Sequence, residues 1–451
     1  MNKTHHILVP ELVPLENKGE EAIVRGIADV VFPDGNYELH LFDEIDQYQF
    51  QDRIHVYPVK WFMSPWLNRE FGLGMSYEKL RNSLQSLIRN LLHKFIPNWV
   101  RRKDAALLNT MQEVSRLKNT KNSSKGYPGL ENIINLDYII AGHDGAMDER
   151  VCHVISEFRQ LLNIPLGIFG IEFPQAFKSE AIVEEQHKVL KDSLFFYCRT
   201  ESSKRVVDQN FPLINARVQP DPAFSMKPVS SHLVDEYLIR KGLVGLFEKE
   251  VIVCTTCETG PIARYCFQDE HSPAARIEAH RNFYADFLEY VASKNNINVI
   301  FLPHSLGPGR ALDDTVVARD VMKRMQNKSN VVLLDDDISA AMLKGIIKKS
   351  NFLIAERIHS MIGATGVGTP FLCLGSNTDR RIKGIISEMV GANNSIYYMN
   401  SPDLKEVCNI FDSLWDVRVE EGSRLDDVIK SFSEQHEASA VIIRKAFNIN
   451  E

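Results

Sequence analysis

Short apolar runs alternate along most of the chain with longer segments in which apolar residues recur at helical spacing. The apolar runs predict strands at residues 6–9, 37–42, 138–141, 165–170, 194–198, 251–254, 298–304, 331–334, 352–355 and 371–374. The helical segments include residues 22–30, 274–293 and 340–349. Continuous apolar strands separated by helices are typical of parallel sheets that are buried on both faces. The pattern therefore predicts an α/β protein.

The strand-helix alternation occurs twice, once on each side of a proline-rich stretch at residues 219–223. A length of 451 residues allows about two to four domains. We expect two parallel-sheet domains, residues 1–225 and 226–451, with the last helices packing back on the first domain. Ligands of such sheets bind at the carboxyl ends of the strands, so we expect a site in the cleft between the domains.

The segment 79–125 differs from the rest of the chain in charge. It contains eleven Lys and Arg against Asp104 and Glu113, and its charge of +9 leaves −16 for the remainder of a chain whose net charge is −7. Apolar residues at helical spacing predict a basic helical hairpin inserted into the first domain. Two interpretations stay open: the hairpin binds an anionic membrane surface or a partner helix, or its apolar stripe packs on its own domain.

Composition excludes several classes of protein. Net charge −7 and a pI near 6.1 count against a protein that coats nucleic acid. No apolar run reaches the roughly 18–20 residues of a membrane span, and the first ten residues lack the apolar core of a signal peptide. Seven scattered cysteines, mostly in apolar runs, indicate reduced thiols. We therefore expect a cytoplasmic protein, peripheral on the inner face of the membrane if the hairpin binds lipid.

No metal site is predicted. Cys254 and Cys257 form a single CxxC in an apolar strand, with no second pair to complete a zinc site. His5 and His6 lead into the first strand.

The most promising local chemistry follows the strand 352–355, where Arg357, His359 and Ser360 precede a predicted helix. A helix N-terminus attracts phosphate, an arginine binds phosphate or carboxylate through two parallel bonds, and a histidine moves protons near neutral pH. The alternative is structural: Arg357 pairs with Glu356 or another acid, and His359 caps the helix.

Other strand ends carry weaker signals of the same kind. They are Arg199 after the strand 194–198, Asn17, Gly19 and Glu20 before the first helix, His143 and Asp144 after the strand 138–141, and His304 after the strand 298–304. Each also has a structural interpretation as a surface residue, a helix cap or a tight turn.

Several of these motifs together resemble one family. The run Glu356-Arg357-Ile358-His359-Ser360 resembles the Arg-[Leu/Ile]-His signature of polysaccharide pyruvyl transferases. Four further stretches resemble family motifs in the same order: residues 17–23, 198–202, 221–223 and 381–385. The resemblance spans roughly residues 7–385 apart from the basic segment.

This resemblance implies a GT-B-like fold, with two Rossmann-type domains around a cleft. It implies transfer of pyruvate from phosphoenolpyruvate to two hydroxyls of a sugar, which forms a cyclic ketal and releases phosphate. Phosphoenolpyruvate is then a co-substrate, and neither a cofactor nor a metal is implied. The acceptor would be a sugar of a capsule, exopolysaccharide or cell-wall polymer, or its lipid-linked oligosaccharide precursor.

Carried over residue by residue, the resemblance places His359 and Arg357 in the chemistry. Phosphoenolpyruvate would be bound by Arg199, Arg357, Ser360 and His304. The acceptor would be bound by Asn17, Gly19, Glu20, His143 and Asp144. Two departures fall on the acceptor side: Glu20 stands where the family usually has Asp, and a Gly-His-Asp-Gly run replaces a Gly-Gly-Gly loop.

Two other functions remain open at this level. A GT-B glycosyltransferase with a nucleotide-sugar donor often shows His-Gly, then a ribose-binding Glu, then Gly-x-Pro. Here His359 and Gly368-Thr369-Pro370 are present without an acid between them, which favours phosphoenolpyruvate. A non-catalytic scaffold of envelope assembly has its best support in the basic segment.

Overall fold

The computed structural model describes most of the chain outside the basic segment. The described residues are 3–43, 53–58, 135–142, 149–173, 190–257, 259–307 and 312–449, together with Val114, Ile133 and His187. The predicted hairpin at 79–125 lies outside the described residues except for Val114, so it stays a prediction.

The first sheet is entirely parallel and has the order β3-β2-β1-β4-β5-β6-β7. Its strands are β1 (His5–Leu12), β2 (Tyr37–Asp43), β3 (Ile54–Pro58), β4 (Tyr138–Ala141), β5 (Leu166–Ile171), β6 (Phe196–Cys198) and β7 (Arg217–Val218). The α-helices described in this part are α1 (Lys18–Val31), α2 (Glu149–Leu162) and α3 (Glu201–Asn210).

The second sheet is also parallel and has the order β10-β9-β8-β11-β12-β13. Its strands are β8 (Glu250–Thr255), β9 (Ile297–Phe301), β10 (Val331–Leu333), β11 (Phe352–Ala355), β12 (Phe371–Gly375) and β13 (Ile396–Tyr398). The α-helices are α4 (Ser231–Arg240), α5 (Thr259–Tyr265), α6 (Pro273–Ala292), α7 (Asp314–Arg324), α8 (Ala340–Lys349), α9 (Ile358–Thr365), α10 (Leu404–Asp416) and α11 (Arg418–Ala446). A π-helix spans Ile382–Met389, and 3₁₀ turns span Pro222–Phe224, Val244–Glu248 and Asn393–Ser395.

Both sheets follow the order of a doubly wound Rossmann fold, third-second-first-fourth and onward, so the predicted fold class is confirmed. The direction of winding reverses between β1 and β4 in one sheet and between β8 and β11 in the other. The central strands are almost completely buried, which explains their unbroken apolar sequences.

Three strands escaped sequence prediction: β3, β7 and β13. Each has five residues or fewer and lies at the edge of its sheet. An edge strand needs less apolar burial, so it leaves a weaker sequence pattern.

The C-terminal end of the chain crosses back to the first sheet. Phe447 stacks on Tyr138, with ring centroids 4.4 Å apart. In α11, His436 Nε2 lies 2.9 Å from the Pro220 carbonyl oxygen and Nδ1 lies 2.6 Å from Ser225 Oγ. This contact attaches α11 to the segment that connects the two sheets.

None of the described helices combines the length and the apolar character that crossing a bilayer requires. All seven cysteines lie among the described residues and are buried, and none of them forms a disulfide bond. Burial raises the pKa of the Cys254 thiol well above its usual value, in agreement with a structural role for the CxxC.

Candidate functional site

The N-terminus of α1 is a contact point between the two sheets. Asn17 caps the helix, because its side chain accepts a hydrogen bond of 3.1 Å from the Gly19 N–H. Asn17 also forms an isolated antiparallel bridge with Ser305, and the Lys18 N–H donates to the His304 carbonyl at 2.8 Å. The fold thus joins two strand ends that are far apart in sequence, one from each half of the chain.

His359 lies directly against Gly19. A Cβ atom at position 19 would lie 2.3 Å from His359 Nδ1, closer than real atoms approach each other. Gly19 belongs to the first turn of α1, and its φ is outside the left-handed region. The glycine is therefore needed for close contact with the histidine rather than for a special turn.

The ring of His359 is enclosed by positive charge. No described residue gives Nε2 a hydrogen-bond partner, although this atom is buried. Burial lowers the pKa of His359 well below its usual value, and the charges of Arg199, Arg381, His304 and Arg357 lower it further. The imidazole of His359 is therefore neutral near pH 7.

Arg357 precedes α9 and is oriented by Asp314 at the start of α7. Its Nη2 and Nε donate to the two Asp314 carboxylate oxygens at 2.5 and 3.2 Å. Asp314 Oδ2 also accepts the backbone N–H groups of His304, at 3.1 Å, and Ser305, at 3.0 Å. One buried carboxylate therefore positions both Arg357 and the loop after β9.

Sequence analysis offered a structural alternative in which Arg357 pairs with Glu356 or another acid. In the structure Arg357 does pair with an acid, and that acid is Asp314. Glu356 is occupied elsewhere: it accepts the Cys257 N–H at 2.8 Å and lies 2.6 Å from His280 Nε2. Sequence analysis missed Asp314. The signal available in the sequence was that Asp314 directly follows another acid, Asp313, which is the N-cap of α7.

Arg199 is buried between two carboxylates. Its Nε donates to Glu172 and its Nη1 to Asp221, both at 3.1 Å. Although burial opposes the charge, Asp221 and Glu172 hold the pKa of Arg199 above its usual value. Arg199 is therefore a charged residue fixed in the interior, and Asp221 of the Asp-Pro-Ala stretch is one of its anchors.

Arg381 completes the positive surroundings of His359, and sequence analysis had not placed it in the site. It directly precedes the π-helix and forms a bidentate pair with Asp379 at 2.8 and 3.1 Å. Its side chain is 44% exposed, so it remains accessible to a ligand. The only sequence signal was the basic stretch that resembles a family motif.

The remaining predicted residues lie in different surroundings. The hydroxyl of Ser360 is fully buried; it donates to the Arg357 carbonyl at 2.6 Å and lies 3.0 Å from Thr255 Oγ1. Its hydroxyl is therefore engaged inside the protein, which differs from the expected contact with phosphate. Glu20 Oε1 accepts from Asn17 Nδ2 at 3.4 Å. His143 and Asp144 lie outside the described residues.

A small cavity lies behind His359, lined by Lys18, His304, Lys344 and apolar residues of α1, α8 and α9. It has room for about one water molecule. This cavity is too small to hold a sugar or phosphoenolpyruvate, so it is not itself a substrate site.

Two Rossmann-type sheets with a polar site between their carboxyl ends define a GT-B-type protein, and solved structures agree. UDP-GlcNAc 2-epimerase from Neisseria meningitidis is 12% identical with a TM-score of 0.51, and the match covers 99% of this chain and 100% of that one. A putative UDP-N-acetylglucosamine 2-epimerase from Listeria monocytogenes is 11% identical with a TM-score of 0.53, covering 100% and 98%. At these identities the likeness establishes the fold alone.

The family follows from the sequence. The family model for polysaccharide pyruvyl transferase matches residues 17–378, which is most of the chain, and the protein belongs to this family. The resemblance inferred from the motifs is thereby confirmed. The sequence has no significant match among curated proteins.

Proposed function

We propose that this protein transfers pyruvate from phosphoenolpyruvate to two hydroxyls of a saccharide, forming a cyclic ketal and releasing phosphate. The observation that carries the proposal is the buried His359, whose Nε2 has no partner among the described residues and whose pKa is lowered by burial and by the charges of Arg199, Arg381 and Arg357. Membership of the pyruvyl transferase family supports the same reaction class.

The positive charge matches the donor. Phosphoenolpyruvate carries a carboxylate and a phosphate, so its binding needs several cationic groups. Each of the three arginines is oriented by carboxylates. Arg199 pairs with Asp221 and Glu172, Arg357 pairs with Asp314, and Arg381 pairs with Asp379. Groups oriented before the substrate arrives stabilise developing charge without reorganising, which favours catalysis.

The chemistry needs one proton to be delivered and two to be removed. Protonation of the vinyl carbon makes C2 electrophilic, and the first sugar hydroxyl adds there. The C2–O bond to phosphate then breaks, and the second hydroxyl adds to close the ketal. One of the two hydroxyl protons returns to the group that protonated the vinyl carbon. The other hydroxyl proton leaves with phosphate.

We assign this proton transfer to His359. Its neutral state results from burial and from the positive charges of the neighbouring Arg199, Arg381 and Arg357. A bound trianionic donor would offset those charges and raise the pKa of the ring toward the range in which it exchanges protons. Arg357 would act beside it by stabilising charge on the donor.

The acceptor is assigned to the first domain. Asn17 and Glu20 lie at the N-terminus of α1 beside His359, and Glu20 is close enough to influence the charge of Arg199. We propose that these residues orient the hydroxyls of a surface-polysaccharide sugar or of its lipid-linked precursor. His143 and Asp144 remain predicted contributors.

Binding of phosphoenolpyruvate provides a test that does not require the acceptor. Calorimetry is expected to show one donor site, weakened at least about 10-fold in Arg381→Gln because a charge-assisted contact is lost. Arg324→Gln is the matched control, since Arg324 forms an ion pair with Glu278 at the C-terminus of α7, the opposite end of that helix from Asp314. His359→Asn is expected to retain donor binding.

Turnover is measured as phosphate release together with pyruvate incorporation into candidate saccharides. His359→Asn is expected to abolish both. Donor binding that is absent at millimolar concentration, combined with tight binding of UDP, would favour a nucleotide-sugar enzyme instead. Normal turnover in His359→Asn would overturn the assignment of that residue.

We also propose that the basic segment 79–125 brings the enzyme to an anionic membrane, where lipid-linked acceptors are found. The support is its charge of +9. Co-sedimentation with vesicles containing anionic lipid is expected to fall when Arg101, Arg102 and Lys103 are replaced by Gln. Equal co-sedimentation of the wild type and of this triple variant would count against a role of the segment in membrane binding.

A further inference from the structure

Three potential metal ligands lie together far from the cleft. His6 on β1 is the register partner of Glu38 on β2, and His40 follows two positions later on the same face of the sheet. One ligand atom from each residue lies within 4.8 Å of the other two. The cluster is near the amino ends of the strands, whereas the candidate active site is at their carboxyl ends.

The distances between these ligand atoms match the edges of a metal coordination sphere. His6 Nδ1 lies 3.1 Å from His40 Nε2 and 3.4 Å from Glu38 Oε2. Zinc bonds to nitrogen and oxygen are about 2.0–2.1 Å long, so neighbouring ligands of a tetrahedral site are separated by about 3.4 Å. The His6–Glu38 distance is long for a strong hydrogen bond but fits such an edge.

Two further side chains orient the ligands. Tyr57 Oη lies 2.7 Å from His40 Nδ1, so this hydrogen bond directs the other ring nitrogen toward the cluster. His55 Nε2 lies 2.8 Å from Glu38 Oε2. Metal-binding histidines and carboxylates usually have hydrogen-bond partners of this kind, which fix the tautomer and orient the ligand.

We infer that His6, Glu38 and His40 bind a divalent transition metal of the zinc type, with water in the fourth position. Two imidazole nitrogens and one carboxylate oxygen form a ligand set that suits Zn²⁺. Binding uses the tautomers in which His6 carries its proton on Nε2 and His40 carries its proton on Nδ1, toward Tyr57 Oη. Both facing nitrogens then offer a lone pair to the metal, and no co-reactant is needed.

The inferred metal would have a structural effect. It would link β1 to β2 at the end of the sheet opposite the cleft, and binding to the folded state alone stabilises that state. This inference is independent of the proposed reaction, and it departs from the sequence-based expectation that the chain has no metal site.

The test uses the full-length, untagged chain after treatment with a chelator. Titration with Zn²⁺ is expected to show one equivalent bound and a higher melting temperature. Co²⁺ is expected to give the visible absorption bands of a tetrahedral site. His6→Ala and Glu38→Gln are expected to lose at least about 100-fold in affinity and most of the thermal shift.

His232→Ala is the matched control. His232 is an exposed histidine paired with Glu236 one helical turn away, at 3.2 Å, so it tests whether surface His-Glu pairs account for metal uptake. This variant is expected to bind zinc like the wild type. Tyr57→Phe keeps all three ligands and is expected to weaken affinity about 10- to 100-fold.

Two results would overturn the inference. One is less than a tenth of an equivalent of zinc bound by the wild type at micromolar concentrations. The other is unchanged affinity in both His6→Ala and Glu38→Gln while these variants unfold at the same temperature as the metal-free wild type.

Discussion

Because Gly19 has no Cβ atom, α1 of the first domain and His359 of the second domain can come into close contact. Gly19 is in the first turn of α1, and the His359 ring occupies the space that any Cβ at position 19 would take. The histidine has no described hydrogen-bond partner at Nε2, so packing against Gly19 contributes to its position. The activity should therefore depend on Gly19 through the position that it allows His359 to take.

Gly19→Ala is expected to reduce turnover about 100-fold, because displacement of a reacting group by roughly 1 Å has an effect of that size. Alanine favours a helix by about 1 kcal/mol over glycine, so α1 itself should not be weakened. Phosphate release under saturating phosphoenolpyruvate is the measurement.

Gly260→Ala is the control for this substitution. Gly260 also lies in the first turn of a helix, α5, and a Cβ there would have open space around it. Its turnover should equal that of the wild type. Wild-type turnover in Gly19→Ala would show that His359 either moves without consequence or does not take part in the reaction.

At the scale of elements, α8 holds the segment that connects the two sheets. Lys344 is 2% exposed, and its ammonium donates to the carbonyls of Ala223, Phe224 and Met226 at 3.1, 2.8 and 2.7 Å. One side chain of α8 thus donates hydrogen bonds to three backbone carbonyl oxygens of the segment that connects the two sheets. Since unsatisfied buried carbonyls are costly, this contact fixes the path of the connection.

Lys344→Met is expected to lower the free energy of unfolding by about 3 kcal/mol, because three buried acceptors lose their donor while the aliphatic volume is kept. The urea midpoint followed by circular dichroism measures the effect. Lys348→Met, on the exposed side of the same helix, should change the midpoint little. Equal midpoints for the two variants would contradict the anchoring role.

At the scale of the molecule, several histidines are buried in their neutral form. Burial is the main cause that lowers the pKa of His304 and of His436 to about 4, and it also lowers the pKa of His359 well below its usual value. His304 and His359 lie in the cleft, and His436 joins α11 to the connecting segment. Acid should therefore destabilise the places where the two domains meet.

Stability is expected to decrease as the pH falls below about 6.5, where the histidines of the unfolded chain gain protons that the folded protein does not bind. Between pH 7.5 and 5.5 each of these histidines should contribute a loss of about 1 kcal/mol. Urea midpoints at pH 7.5, 6.5 and 5.5 measure the trend.

His436→Gln should make the trend shallower, because one of the groups that titrate only in the unfolded chain is removed. This comparison separates the histidine effect from that of the carboxylates. A midpoint that stays constant or rises between pH 7.5 and 5.5 would contradict the prediction.

Most of the fold was predictable because the central strands are buried on both faces and must be apolar throughout. β11, for example, has the predicted bounds, Phe352–Ala355. The short edge strands were not predictable, because β7, with two residues, carries too little pattern. The same locality explains the candidate site: Arg199, Arg357 and His359 were predicted as site residues because each lies within four positions of the end of a buried strand.

The partners of these residues were not predictable, since Asp314, Glu172 and Arg381 come close to them only through the fold. The sequence by itself determined two parallel sheets, the family and the strand ends that carry reactive side chains, because each of these depends on neighbours along the chain. Tertiary structure alone decided which acidic and basic side chains lie next to each other in the candidate site. It placed His359 on Gly19 and brought His6 and His40 together, because side chains that are distant in sequence meet only when strands take their order in a sheet and two sheets close on each other.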